Sequence, residues 1–426
     1  MPPMSTSPAL RIAVLGAGTV GAAVVARLLE GSARLRSTDG APIQVVGVAC
    51  RDLAKARAAG IPADLLTDAP AHLVASPDVD AVVELLGGDE PARTLIAAAL
   101  GAGKPVVTAN KHVIAHHGPE LEAIARRNDV ALRFEAAVAG GIPVLGPLAT
   151  ELAANDITRI RGIVNGTTNY ILSAMAQEGR AYADVLADAQ ALGYAEADPT
   201  GDVEGDDAVN KLVILARLGF DGWLDPATVQ RRPPTARGHG KPGITGITDR
   251  EMEGAAALGL TLKLLATASR AGDAVAGAVV PTAVPSDSPF GWTDGVTNRV
   301  EIQGIPLGTV GLTGPGAGGA ATSSAVLGDL LSIAHGGAST WSGLPAAGPT
   351  LEAGDPFVGA RHWFALVPAV RAGVETLPTA LDAAASVIFE HGTALRTEVV
   401  TLAEARAAFV EIIPDGADVT LYPVDD

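Results

Sequence analysis

One cysteine, Cys50, is the only thiol in this chain of 426 residues. A lone thiol closes no intrachain disulfide and excludes a zinc site built from several cysteines. Basic residues are also scarce. Only 30 Lys and Arg stand against 47 Asp and Glu, a formal charge of −17. That balance argues against nucleic acid or an anionic membrane as a partner. No uninterrupted apolar run reaches the roughly 18 residues that a membrane span needs. The opening "MPPMSTSPAL" lacks the basic patch and apolar core of a secretory signal. These absences give a cytoplasmic protein as the expectation.

What is present is largely apolar: 48% of residues are hydrophobic and 18% charged. Such a chain buries large cores, and its length fits two or three domains. From about residue 10 to 140, short buried-strand runs alternate with helical periodicity. "LRIAVLGAGTVGAAVVARLLEG" reads as strand, tight turn, helix; "IQVVGVACRD", "DVDAVVELLGG", "PVVTANKH" and "VALRFEAAVAGGIPV" supply further strands. Alternation of this kind predicts a parallel sheet with helices on both faces. From 150 to 280 the balance becomes α+β, with one mixed sheet and helices on one face expected. The Gly-rich stretch 308–334 reads as turn then helix. "HWFALVPAV" and "DVTLYPV" are candidate strands in a tail of different composition. The predicted organisation is a Rossmann-type α/β domain over 1–138, completed by about 308–338. An α+β domain over 139–307 and a small α/β extension over 346–426 follow.

Gly16-Ala17-Gly18-Thr19-Val20-Gly21 has GxGxxG spacing directly after a strand and before a helix. The first Gly permits the tight turn, the second lets backbone approach a pyrophosphate, and the third lets helix and strand pack closely. The helix N-terminus then faces the phosphates. The second strand ends on Arg51, followed by Asp52, where an NAD enzyme would present an acid to the adenine ribose. An arginine there suits a 2′-phosphate, with Lys55 placed to help, so NADP is favoured over NAD. An ordinary surface charge is the alternative for Arg51.

Asn110 and Lys111 lie just past the carboxyl end of a buried strand, where open α/β sheets bind ligands. A second lysine closes "EADPTGDVEGDDAVNK", residues 196–211, which carries six carboxylates. Asp207 and Lys211 are four apart and share a helix face. Alone they would form a surface ion pair, contributing up to ~1 kcal/mol. The loop before them weighs against so little. Glu196, Asp198, Asp202, Glu204 and Asp206 repel one another in water, which is easier to understand if they face a cation or an ammonium group. Their spacing is not that of an EF-hand. A short amino acid would offer its ammonium to the acids and its carboxylate to lysines or helix N-termini.

Several segments together resemble homoserine dehydrogenase: "GAGTVG", "VVELLGG", "GKPVVTANKHVIAHHG", "FEAAVAGGIPV", "GIVNGTTNYIL", "LGYAEADPTGDVEGDDAVNKLVILARL" and "GPGAGGAATSSAVLGDLLSIA". They stand in the family's order and cover most of residues 10–335. The resemblance implies NAD(P)-linked interconversion of L-homoserine and L-aspartate 4-semialdehyde, on the route to threonine, methionine and isoleucine. It implies that 139–307 combines catalysis with dimerisation, and hence a homodimer. Lys111 and Lys211 match the family lysines at the reacting oxygen and the substrate carboxylate end. Glu196, Asp202 and Asp207 match acids that hold substrate and lysine, and Gly166 and Thr167 line the substrate pocket. The same resemblance adds Gly87, Gly88, Thr108 and Gly316 to the expected cofactor contacts. It also implies a monovalent-cation site, usually sodium, at Glu135, Val138, Gly140 and Ile142; a mere hinge into the second domain is the alternative for residues 136–143. The absence of an upstream kinase region implies the monofunctional form. "GAATSSAV" (319–326) lacks a proline expected there. The tail departs further, because the "PGVL" turn of an ACT module is missing from "WFALVPAVRAGVETLPTALDAAASVIFEHG". A degenerate ACT-like unit and a private extension both remain open for it.

Aldehyde reduction needs hydride from a nicotinamide and a proton for the oxygen. Negative charge develops on that oxygen, so a nearby ammonium supplies both stabilisation and proton. In the oxidation direction a neutral lysine takes the hydroxyl proton. His116 and His117 are adjacent rather than i, i+4, so they do not readily share a metal. Two other readings remain: an NADP-binding sensor without turnover, and another amino-acid oxidoreductase on the same scaffold. A sensor has no reason to retain both lysines and the acid loop.

Overall fold

The computed structural model describes residues 9–31, 34–368, 381, 385–389 and 392–425. Its chain clusters into two compact units. One comprises Met1–Ile157, Val213–Pro226 and Gly304–Leu351; the other comprises Thr158–Leu212, Ala227–Gln303 and Glu352–Asp426.

The first unit is built on β1 (Leu10–Leu15), β2 (Ile43–Ala49), β3 (Leu66–Thr67), β4 (Ala81–Glu84), β5 (Val106–Thr108) and β6 (Leu132–Arg133). They form one sheet in the order β3-β2-β1-β4-β5-β6, every pair parallel. This is the doubly wound nucleotide-binding order. The connecting helices are α1 (Thr19–Leu29), α2 (Leu53–Ala58), α3 (Pro70–Ala75), α4 (Ala92–Gly101) and α5 (Lys111–Arg127). Strands covered on both faces are largely apolar, and β4 is buried at every position, its closing Glu84 included. On α1, Val24, Val25 and Leu28 form the inward stripe and join Ile12, Val14, Val45 and Val83 in one core. Val326 and Leu330, on the helix Gly319–Ala334, complete that core from far along the chain.

Two expectations need correction. "VALRFEAAVAGGIPV" is strand only at Leu132–Arg133. Glu135–Ala137 then forms a 3-10 turn, and Ala139 (φ +54°) and Gly140 (φ +55°) take left-handed backbone, which no strand accommodates. Residues 308–315, read as a turn, form the strand Gly308–Pro315. Its glycines hid the alternation of half-buried and exposed positions. A short helix, α6 (Leu145–Ala149), follows the left-handed turn.

The second unit carries β7 (Asp156–Ile163), α7 (Gly166–Glu178), α8 (Tyr182–Ala191), α9 (Thr200–Val203) and α10 (Asp206–Gly219), whose last turns belong to the first unit. Along its sheet run β10 (Thr297–Ile305), β7, β8 (Leu260–Ala271) and β9 (Ala274–Pro285) in the order β10-β7-β8-β9. β8 and β9 form a long antiparallel hairpin, and the strand Ala353–Gly354 lies parallel to β9, so the sheet is mixed. In the tail, Trp363–Val367, Ser386–Phe389, Gly392–Arg396 and Tyr422–Pro423 form an antiparallel sheet. The helix Leu402–Ile412 precedes the last of these strands. Trp363, Val367, Leu395 and Phe409 from the tail share an apolar cluster with Ala236, Ala278 and Val280. Residues 369–380, part of the ACT-like reading, lie outside the described residues. Among the described residues no helix is long and apolar enough to cross a membrane.

Candidate active site

In the first unit the strand register gathers the candidates at one edge. Leu15 lies level with Ala49 and with Glu84, and Glu84 with Thr108. The residues that follow, Gly16, Arg51, Gly87, Gly88 and Lys111, therefore all emerge at the carboxyl end of the sheet, where such folds bind ligands. Gly16 has φ +110°, and a Cβ there would lie 2.4 Å from the Leu85 carbonyl. At Gly21 a Cβ would meet the Gly16 carbonyl oxygen at 2.0 Å. Around Gly18 there is open space, and α1 starts there with no side-chain cap. The first N–H groups of α1, past Ala17, Thr19 and Val20, thus remain for an anion. A cleft of about 220 Å³ past the carboxyl ends of β2 and β4 is lined by Arg51 and Gly87 among others. Arg51 and Lys55 are both exposed, and the Lys55 N–H is used by Asp52, which caps α2. This combination of bare helix N-terminus, approachable backbone and a cleft at the same end of the sheet fits a dinucleotide.

Lys111 is the first residue of α5 and half-buried. Its neighbour Asn110 caps that helix through the Val113 N–H and donates to the Gly88 carbonyl at 2.9 Å. Thr108 Oγ1 accepts from the Asn110 N–H and donates to Glu84 Oε2 at 2.6 Å. Glu84 is fully buried, and burial pushes its carboxyl above the ordinary range despite these bonds. Glu84 and Asn110 thus tie Gly88 to the start of α5. Sequence reading missed Glu84; a lone acid ending an otherwise apolar strand was the available signal. His117 pairs with Asp89 at 2.7 Å.

Glu135 is mostly buried, and its carboxylate accepts three backbone N–H bonds, from Val144, Leu145 and Gly146, at 2.7–2.9 Å. It caps α6. Burial nevertheless pushes its carboxyl upward. Val138, Gly140 and Ile142 are buried, and among the described residues no protein donor reaches their carbonyl oxygens. Carbonyl oxygens left without a protein donor are of the chemical type that a hard cation takes. Gly140 is required by its contact: a Cβ would lie 2.5 Å from the carbonyl oxygen of Gly316, the buried residue expected at the cofactor.

In the second unit the focus is Lys211, 8% exposed on α10. Its Nζ donates to the Val164 carbonyl at 2.7 Å and to Asp207 Oδ2 at 2.6 Å. Asn165 binds the same carboxylate: its Nδ2 donates to Asp207 Oδ2 at 2.9 Å and to Asp202 Oδ1 at 2.7 Å. Its Oδ1 caps α7 by accepting the Thr168 N–H. Gly166 opens α7, with no room for a Cβ 2.9 Å from the Val296 carbonyl oxygen. Thr167 donates to the Tyr194 carbonyl at 2.7 Å. Asp202, Asp207 and Lys211 therefore converge, while Glu196 is exposed. Asn165 was the missed residue, although it stands within the quoted "VNGTTNY". Two of the acids serve local structure. Asp198 binds the N–H and hydroxyl of Thr200, and Asp206 pairs with Arg231.

A family model described as "Homoserine dehydrogenase, NAD binding domain" matches residues 16–135, and one described as "Homoserine dehydrogenase" matches 143–331. The homoserine dehydrogenase of Mycobacterium tuberculosis is 46% identical over 330 residues, 76% of this chain and 72% of that protein. The crystal structure of the Thiobacillus denitrificans homoserine dehydrogenase aligns with TM-score 0.86 and 33% identity over 99% of both chains. A hyperthermophilic archaeal homoserine dehydrogenase mutant in complex with NADPH aligns with TM-score 0.64 and 29% identity, over 76% of this chain and 97% of its own. Matched from its glycine turn through its acid loop to the helix Gly319–Ala334, this chain belongs to the homoserine dehydrogenase family.

Proposed function

We propose that Lys211 is the cation beside the reacting oxygen and that Asp207, held by Asn165, orients it. The chain is an NAD(P)-dependent oxidoreductase acting on a CH–OH group, a homoserine dehydrogenase serving amino-acid biosynthesis. The observation that carries the assignment is the convergence of Lys211, Asp207, Asn165 and Asp202 in one network. A bound nicotinamide supplies or accepts the hydride. As charge grows on the substrate oxygen, the Lys211 ammonium stabilises it and yields a proton. In the reverse direction the same amine takes the hydroxyl proton, so oxidation is favoured at high pH. Asp202 and Glu196 are assigned to the substrate ammonium, and Gly166 and Thr167 to the pocket wall. Lys111 is the second substrate lysine. At the start of α5 it faces the positive end of a helix dipole, a place that favours an anion.

NADP is the assigned cofactor, supported by the exposed Arg51 at the edge of the 220 Å³ cleft. The glycine turn takes the pyrophosphate. Gly87, Gly88, Thr108 and Gly316 complete its surroundings, as does Lys55. Sodium is assigned to Glu135, Val138, Gly140 and Ile142, supported by the unmet carbonyls. The working form is read as a cytoplasmic homodimer, which size-exclusion chromatography tests. The tail is read as ACT-like, supported by its antiparallel sheet and single described helix.

Initial rates with L-homoserine at high pH, run with NADP and NAD in parallel, test the whole reading. Turnover faster with NADP, and reversed in preference by Arg51→Ala, is the expected result. No turnover in protein that binds either cofactor overturns the reading. Replacing sodium by choline in the same assay tests the cation site.

A further inference from the structure

A cavity of about 270 Å³ inside the second unit has no part in this chemistry. Its floor is one face of the β8–β9 hairpin, where Thr267 stands opposite Ala278 and Ser269 opposite Ala276. The small alanines leave the space. Its walls include Arg361, Arg159 and Asp425 from other parts of the unit.

The charges in this cavity are unevenly matched. Asp425 is taken by Arg159 at 2.8 Å and by Arg161 at 2.5 Å. Arg361 forms no ion pair among the described residues. One of its terminal nitrogens, Nη2, donates to the carbonyls of Pro356 and Val358, both at 3.0 Å, but its buried Nε has no acceptor. Burial holds this guanidinium below its ordinary pKa and the charge of Arg159 adds to the effect, outweighing the nearby carboxylates of Asp425 and Asp355. The side chain is also well anchored. Arg361 and Val400 exchange both backbone hydrogen bonds at 3.0 Å, and the Trp363 ring lies 5.6 Å from the guanidinium. A buried donor without an acceptor, on an unpaired cation, costs stability that an anion would offset on both counts.

We propose that this cavity binds a small aliphatic carboxylate, its oxygens on Arg361 Nε and the hydroxyls of Thr267 and Ser269, its short chain against Ala276 and Ala278. A planar two-oxygen anion matches a guanidinium better than a point charge does. The volume lies below the range of drug-sized ligand sites, which limits the chain to a few carbons. Bound there, the ligand ties the segment 356–361 to the β8–β9 hairpin.

Propionate is the probe. Melting temperature of the full chain is followed in sodium propionate against sodium chloride of equal ionic strength, for wild type, Arg361→Gln and Ala276→Leu. The wild type is expected to rise by about 2 °C more than either variant at roughly ten times the half-saturating concentration. Turnover of homoserine without propionate is expected to be the same in all three, so the result does not depend on the catalytic assignment. Equal rises in wild type and both variants overturn the site. An Arg361-dependent rise in sulfate that propionate does not reproduce overturns the carboxylate assignment. Should Arg361→Gln fail to fold, Ala276→Leu carries the comparison, because it fills the floor and leaves the charge in place.

Discussion

Lys211 and Asn165 are the two side chains on which the proposed chemistry turns. Lys211→Ala removes a charged donor and is expected to lower kcat at least about 100-fold, as for loss of one transition-state donor. Near-normal turnover in that variant would remove Lys211 from the mechanism. Asn165 has two separable jobs: its oxygen caps α7, and its amide nitrogen bridges Asp202 and Asp207. Asn165→Ala is expected to lose about 1 kcal/mol from the cap and about 10-fold or more in kcat from the misplaced acids. Asn165→Ser keeps a capping oxygen without the amide. It should recover the melting temperature and not the turnover, whereas a purely structural role would recover both. The lysine and the acids were legible in the sequence from their density. Asn165 was not, because an asparagine before a helix reads first as a cap.

At the scale of elements, the turn between β1 and α1 contains three glycines with different duties. A Cβ at Gly21 would meet the Gly16 carbonyl oxygen at 2.0 Å, so Gly21→Ala must push helix from strand. Gly18 has nothing within 4 Å of an added Cβ. Gly18→Ala is therefore expected to fold with nearly wild-type melting temperature but with a raised KM for the cofactor. Gly21→Ala is expected to lower the melting temperature itself. Equal effects of both substitutions on stability would contradict this division. The spacing of the turn announced the motif, but not which glycine faces a ligand and which faces protein.

At the scale of the whole molecule, stability carries a pH signature. Burial raises the Glu84 carboxyl above its ordinary 4.5, so the folded state binds that proton more tightly than the unfolded chain. The resulting stabilisation is complete below 4.5 and is lost as pH rises through the folded value. Glu84→Gln cannot titrate. The melting temperature of wild type relative to this variant should therefore fall as pH rises from the ordinary value of 4.5 through the raised folded one. A constant difference would contradict the account. The tail is the other global feature. The archaeal neighbour spans 76% of this chain, yet here Trp363 and Phe409 pack with Ala278 and Val280 in one cluster. Asp425 also engages Arg159 and Arg161. Deleting 352–426 would uncover that apolar surface and leave Arg159 without its partner. Aggregated protein on size-exclusion chromatography is the expected result; a monodisperse product with unchanged melting temperature would show the tail to be dispensable.

Local pattern alone determined the parallel sheet, the glycine turn, the two lysines and the acid-rich approach to α10. Each is a matter of residues close in sequence, where periodicity and spacing carry the physics. Only the tertiary structure decided what those residues touch. It showed Asp206 paired with Arg231 and Asp198 closing its own turn, leaving Asp202 and Asp207 on Asn165. It brought Val326 and Leu330 to a core begun at Ile12. It also interrupted the strand expected after Leu132, because two left-handed residues stand where an apolar run suggested extension. Long-range contacts and backbone sign leave no periodic trace, so they became visible only once the chain was folded.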